Sequence, residues 1–92
     1  MKANIGIQDT SKIVDILATT LATENILNLK IRNYHWNVES LSFNDHHKFF
    51  EGLYDESNEN IDAIAERIRM LGEKTPANYE TYLRLSIINE EK

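Results

Sequence analysis

The sequence predicts an all-α chain, a long antiparallel helical hairpin followed by a short C-terminal helix. Three observations carry that expectation. Residues 12–38 contain neither Gly nor Pro, so nothing interrupts a long first helix. Residues 43–71 carry apolar side chains at the three-to-four residue spacing of one helix face. Between them, Glu39, Ser40, Leu41 and Ser42 form a connection short enough to make the two helices antiparallel neighbours.

Taken in order, residues 1–8 have no periodicity and read as an arm. Asp9, Thr10 and Ser11 are N-cap candidates, since a short polar side chain there can accept a bond from an otherwise unpaired helical N–H. The first long helix is expected over 9–38. Ile13, Leu17, Leu21, Leu27, Ile31 and Tyr34 mark one broad side, while Ile26, Leu29 and Trp36 project elsewhere. A helix apolar around much of its circumference is buried from more than one direction.

The second long helix is expected over 43–72, with Ser42 or Asn44 as its cap and Gly72 as the residue that ends it. Its stripe is cleaner: Phe43, Phe50, Leu53, Tyr54, Ile61, Ile64, Ala65, Ile68 and Leu71. Residues 73–92 read as a linker with a short helix. Thr75 stands before a Pro able to open a helix, and Tyr79, Tyr82, Leu83 and Ile87 suit an amphipathic turn or two. The whole is one partial domain over 1–92. A hairpin of this size cannot cover its own apolar faces, so burial has to come from a partner to offset the entropy of ordering the chain.

Composition narrows the chemistry. The 92 residues include no Cys, which excludes disulfides, thiolate metal sites and thiol nucleophiles. No apolar run reaches the ~18 residues of a membrane span, and the start has no signal-type apolar core. A cytoplasmic protein is expected. Ten Lys and Arg against fifteen Asp and Glu give a formal charge of −5. The basic residues are scattered, without the stripe that phosphate backbones demand. Direct DNA binding is therefore not expected, and the acidic balance suits cations better.

The residues capable of metal chemistry lie in two groups. His35, His46 and His47 sit near the hairpin tip; Asp62 and Glu66 stand four apart on the second helix and share a face. Glu51 stands four beyond His47, on the same side. His46 projects about 100° away from His47 and belongs to solvent. Imidazole with carboxylate suits Fe(II), Zn(II) or Mn(II) without choosing among them. His35 and His47 are about six residues either side of the bend and so at one height. Asp62, fifteen positions beyond His47, is about 22 Å further along the helix, against a metal–ligand bond of about 2 Å. A single hairpin cannot bring both groups to one ion. An antiparallel copy related by a two-fold axis can, and the dimer then holds two equivalent sites. The plain reading is weighed beside it: histidines near helix ends are often caps, and Asp–Glu pairs often belong to wet faces, here with Arg67 and Arg69 nearby.

Asn33-Tyr34-His35-Trp36-Asn37-Val38, then Phe43, His47, Phe50-Glu51 and Tyr54, then residues 61–68 with their Asp-x-x-x-Glu-Arg run, closely resemble the Dps family of miniferritins. The likeness spans about 13–88. It implies half of a ferritin-like four-helix bundle, in a subunit that elsewhere assembles into shells, usually of twelve. It implies a ferroxidase centre at a two-fold interface, with His35 and His47 from one chain and Asp62 and Glu66 from its partner. Glu51 falls where the family has a further carboxylate, usually Asp, and Trp36 resembles the family's Trp beside the centre, a candidate redox neighbour. The implied activity is iron storage and detoxification by Fe(II) oxidation, with hydrogen peroxide as the expected oxidant and zinc able to substitute for iron. A family subunit continues with two more long helices, expected here from another copy or another polypeptide. The sequence has no Glu-x-x-His pair of an in-bundle di-iron site, no zincin motif and no phosphate-binding loop. Two competing functions remain, a structural helical assembly module without metal chemistry and a DNA-protecting Dps-type protein.

Overall fold

The computed structural model describes residues 10–37 and 43–89. Three helices follow in order, α1 over Thr10–Asn37, α2 over Phe43–Met70 and α3 over Tyr79–Leu85. Among the described residues there is no strand. The two long helices, 28 residues each, are about 42 Å long and lie side by side in an assembly 55 × 22 × 16 Å. The all-α hairpin with a short third helix matches the expectation. The arm, Asp9, Val38 and the bend at 39–42 lie outside the described residues.

The second helix stops as glycine chemistry requires. Gly72 has φ 88°, the left-handed conformation that costs a side-chain-bearing residue. The N–H of Gly72 donates to the Arg69 carbonyl at 3.0 Å and that of Glu73 to Ile68 at 3.4 Å, the paired bonds of a Schellman ending. Gly72 is thus the residue after the cap, and the helix proper ends at Met70. Asn44 lies inside the first turn of α2 and does not precede it as a cap.

The linker then folds back along α2. The Thr75 hydroxyl donates to the Ala65 carbonyl at 2.8 Å, and the Tyr82 hydroxyl donates to the Pro76 carbonyl at 2.6 Å. Pro76 does not open α3. Asn78 does, because its extended backbone and its Oδ1, which accepts from the Thr81 N–H at 2.8 Å, satisfy a donor that proline's ring cannot. The far end of the tail is held to α1, where the Thr23 hydroxyl donates to Thr19 and accepts from the Ile87 N–H at 3.1 Å.

The buried apolar side chains are Leu21, Ala22 and Ile26 in the middle of α1, Ile68 in the last turn of α2 and Leu71 just beyond it. The expected α1 stripe holds at Leu21, which is fully buried, and departs at Leu27 and Tyr34. Ile26 is inside, whereas Leu27 and Tyr34 are 39% and 48% exposed. Towards the bend, the line of α1 that faces α2 carries Asn28, Arg32 and His35, so this half of its inner surface is polar and hydrophobicity alone does not mark it. Leu29, Met70, Tyr79, Leu83 and Ile87 are also exposed, in keeping with a hairpin that leaves apolar surface uncovered. Among the described residues no helix is long and apolar enough to cross a membrane.

Candidate metal centre

Towards the bend the hairpin is held by imidazole. His35 is buried and His47 half-buried. Their rings stack with centroids 3.6 Å apart and planes 24° from parallel. The Nδ1 of His35 lies 2.6 Å from the His47 carbonyl, and the Nδ1 of His47 lies 2.7 Å from the His35 carbonyl. A carbonyl oxygen only accepts, so each Nδ1 carries the proton and donates. In the neutral imidazole the lone pair then resides on Nε2. Backbone acceptors that fix the tautomer and orient the ring are the usual support of a metal-binding histidine.

A polar seam continues from this pair into the hairpin. The Tyr54 ring meets His35 edge-on at 5.1 Å between centroids, at 64°. The Arg32 guanidinium lies 5.2 Å from the Tyr54 ring centroid, a cation–π arrangement. Arg32 Nη2 also donates to Asn58 Oδ1 at 3.4 Å, and Asn28 Nδ2 donates to the same oxygen at 2.9 Å. Among the described residues, the buried Arg32 Nε and Ser57 Oγ meet no hydrogen-bond partner. On the outer side Tyr34 stacks on Phe50 at 5.6 Å, and Phe49 meets Phe50 edge-on at 5.4 Å.

The structure therefore brings His35 and His47 together and keeps the acidic pair apart from them. Glu51, Asp62 and Glu66 are exposed, the last two some four turns or more along α2 from His47. His46 is exposed, and Trp36 beside His35 is 60% exposed. Among the described residues no three His, Cys, Asp or Glu side chains gather closely enough to hold a metal ion. One chain offers two nitrogens at one end and carboxylates on a separate solvent-facing stretch.

Sequence reasoning passed over Asn28, Arg32, Ser57 and Asn58, and gave Tyr54 a place in the apolar stripe and in the family resemblance but no part in the site. A signal was present. Residues 28, 32 and 35, like 47, 54 and 58, are spaced as members of one helical face, and polar residues at seam positions mark a buried network.

The sequence matches the family described as Ferritin-like domain over residues 14–91. It is 39% identical over 79 residues to DNA protection during starvation protein 2 of Bacillus anthracis, covering 86% of this chain and 54% of that one. The crystal structure of antigen TpF1 from Treponema pallidum superposes with a TM-score of 0.87 at 35% identity, over 97% of this chain and 59% of that one. The crystal structure of a DPS protein from Vibrio cholerae O1 is described as a member of a broad superfamily of ferritin-like diiron-carboxylate proteins. It superposes with a TM-score of 0.90 at 31% identity, over 99% of this chain and 59% of that one. The chain spans about half the length of the curated relatives it matches.

Proposed function

This chain belongs to the ferritin-like domain family and corresponds to the N-terminal half of a Dps-type subunit, and from that premise we propose that it oxidises Fe(II) at a site shared by two copies. His35 and His47 of one copy bind the ion through Nε2, and Asp62 and Glu66 of a two-fold-related copy supply the charge. Glu51, one turn beyond His47, adds a carboxylate from the histidine side, and Trp36 is the neighbouring group able to take up oxidising equivalents. The observation that carries this reading is the reciprocal Nδ1–carbonyl pairing of His35 and His47. It gives both rings the tautomer a metal ligand needs, at one place on the hairpin.

Fe(II) is the substrate here. With hydrogen peroxide as co-substrate, two Fe(II) ions give up one electron each, the O–O bond breaks, and two Fe(III) and two hydroxide ions result. The protein's part is positional and electrostatic. Two neutral imidazoles suit the ferrous ion, and anionic oxygens favour the added positive charge of the ferric product. The chain's own charge of −5 favours cation entry over contact with DNA. Relatives named for DNA protection are accommodated if protection here means removal of Fe(II) before it reacts elsewhere. Storage of ferric mineral follows if the copies close into a shell, usually of twelve in this family, with the remaining helices contributed by another copy or polypeptide.

The test is saturable Fe(II) binding to the assembled protein by anaerobic calorimetry, then stopped-flow oxidation with peroxide and with oxygen in parallel. Binding that disappears in His47→Ala, with faster turnover by peroxide, is the expected result. Absence of saturable binding in the assembled wild-type protein would leave a structural module instead.

A further inference from the structure

We propose that Tyr54 is a positioning residue for the His35–His47 pair, held in turn by Arg32; this rests on the ferroxidase reading above. Each ring fixes its neighbour through Nδ1, but those bonds restrain a ring at one edge and leave it able to tilt about the bond. A further restraint on the tilt of His35 is the Tyr54 ring, meeting it edge-on at 5.1 Å. His35 is thus in contact with two aromatic rings, the stacked His47 ring and Tyr54.

Tyr54 needs its own support, because it is half-buried. Arg32 supplies it. The guanidinium lies 5.2 Å from the ring centroid, and it donates to Asn58 Oδ1 over a long 3.4 Å. Its buried Nε meets no acceptor among the described residues. A buried guanidinium nitrogen without an acceptor is costly, and the aromatic face partly compensates it. The side chain is spent on holding an aromatic ring. The order Arg32, Tyr54, His35, His47 is therefore one continuous packed line ending at the two nitrogens.

The ring, and not the hydroxyl, is the working part of Tyr54 in this arrangement. Three variants of the full chain separate the contributions: Tyr54→Phe, Tyr54→Leu and Arg32→Met, the last retaining the unbranched stem without the charge. Two readouts are needed. In the metal-free protein, nitrogen–proton correlation spectra of the imidazoles report which nitrogen of His35 carries the proton. Calorimetry with Co(II) then reports affinity of the assembled protein. Tyr54→Phe should keep the Nδ1–H form and bind Co(II) within about twofold of wild type. Tyr54→Leu should give a mixture of tautomers at His35 and lose about tenfold in affinity, the scale of an outer-shell lesion. Arg32→Met should act in the same direction, more weakly, and it decides the matter if Tyr54→Leu does not fold. Unchanged spectra in whichever of these two folds would overturn the proposal. Altered tautomers in a protein whose wild type binds no Co(II) would support the positioning role while removing the metal reading beneath it.

Discussion

Each of His35 and His47 donates from Nδ1 to the main-chain carbonyl of the other, at 2.6 and 2.7 Å, so each ring is held by the backbone that carries its neighbour. Replacing one imidazole by a methyl group leaves its carbonyl in place. His35→Ala therefore removes one bond and the stacking, while His47 keeps its own acceptor. The lesion is local, and the hairpin should survive it.

That locality makes complementation a sharp test of the shared site. His35→Ala and Asp62→Ala should each slow Fe(II) oxidation by at least about tenfold. In a mixed dimer both lesions fall in one site and the other site is intact. With random pairing half the dimers are mixed and half of their sites work, so about a quarter of wild-type activity should return on co-assembly. Stopped-flow absorbance of the mixture, beside a mass measurement of mixed dimers, checks this. Proven mixing with no recovery would reject the two-chain arrangement.

Asn28 ties the middle of the hairpin. Its amide reaches Asn58 Oδ1 at 2.9 Å and the Tyr54 carbonyl at 3.4 Å, and it is buried. Asn28→Ala removes both bonds, leaving Asn58 Oδ1 only the longer one from Arg32, and should cost about 1–3 kcal/mol, seen as a lower urea midpoint. In a double-mutant cycle with Asn58→Ala the two losses should fail to add by about 0.5–3 kcal/mol. Additive losses would mean the two side chains do not act together.

This seam is also where sequence reading met its limit. The hairpin was legible because uninterrupted 12–38, the period of α2 and the Gly72 stop are local signals, each readable without a partner. The inner side of α1 towards the bend was not, since Asn28, Arg32 and His35 occupy positions that patterning assigns to apolar residues, and Leu27 and Tyr34 drew the stripe outward. His35 and His47 were legible from their equal distance from the bend. Their reciprocal backbone bonds were not, because a hydrogen bond to a carbonyl leaves no mark on residue type. The acidic pair stays a matter of separation along α2, which a single chain can state but not resolve.

Two glycines, one inside α2 and one just past its end, should respond oppositely to the same substitution. Gly72, at φ 88°, is in the conformation where a Cβ is penalised, and Gly72→Ala should destabilise by about 1–2 kcal/mol. Gly52 is exposed in the helix interior, and a Cβ there meets nothing within 4 Å. Gly52→Ala should stabilise by about 0.5–1 kcal/mol through reduced backbone freedom in the unfolded chain. Urea midpoints of the two variants, measured together, check the pair. A stabilised Gly72→Ala would show that the turn after α2 is not held as described.

The alkaline side of the stability profile should depend on Tyr82. Burial raises its phenol above the usual 10.0, because desolvation penalises the phenolate. The hydroxyl also donates to the Pro76 carbonyl at 2.6 Å, a bond that only the protonated form can make. Below pH 10 the folded and unfolded chains are both protonated at this site, and its contribution is fully present. Above pH 10 the unfolded chain ionises first, so the folded state binds more protons and stability falls until the folded phenol ionises as well. Tyr82→Phe removes the titrating group together with the bond to Pro76. It should be less stable than wild type at neutral pH, with a shallower decline above pH 10. Urea midpoints from pH 8 to 11 give the comparison. Parallel alkaline declines in the two proteins would assign the loss to other groups and leave Tyr82 with only its link to the linker turn.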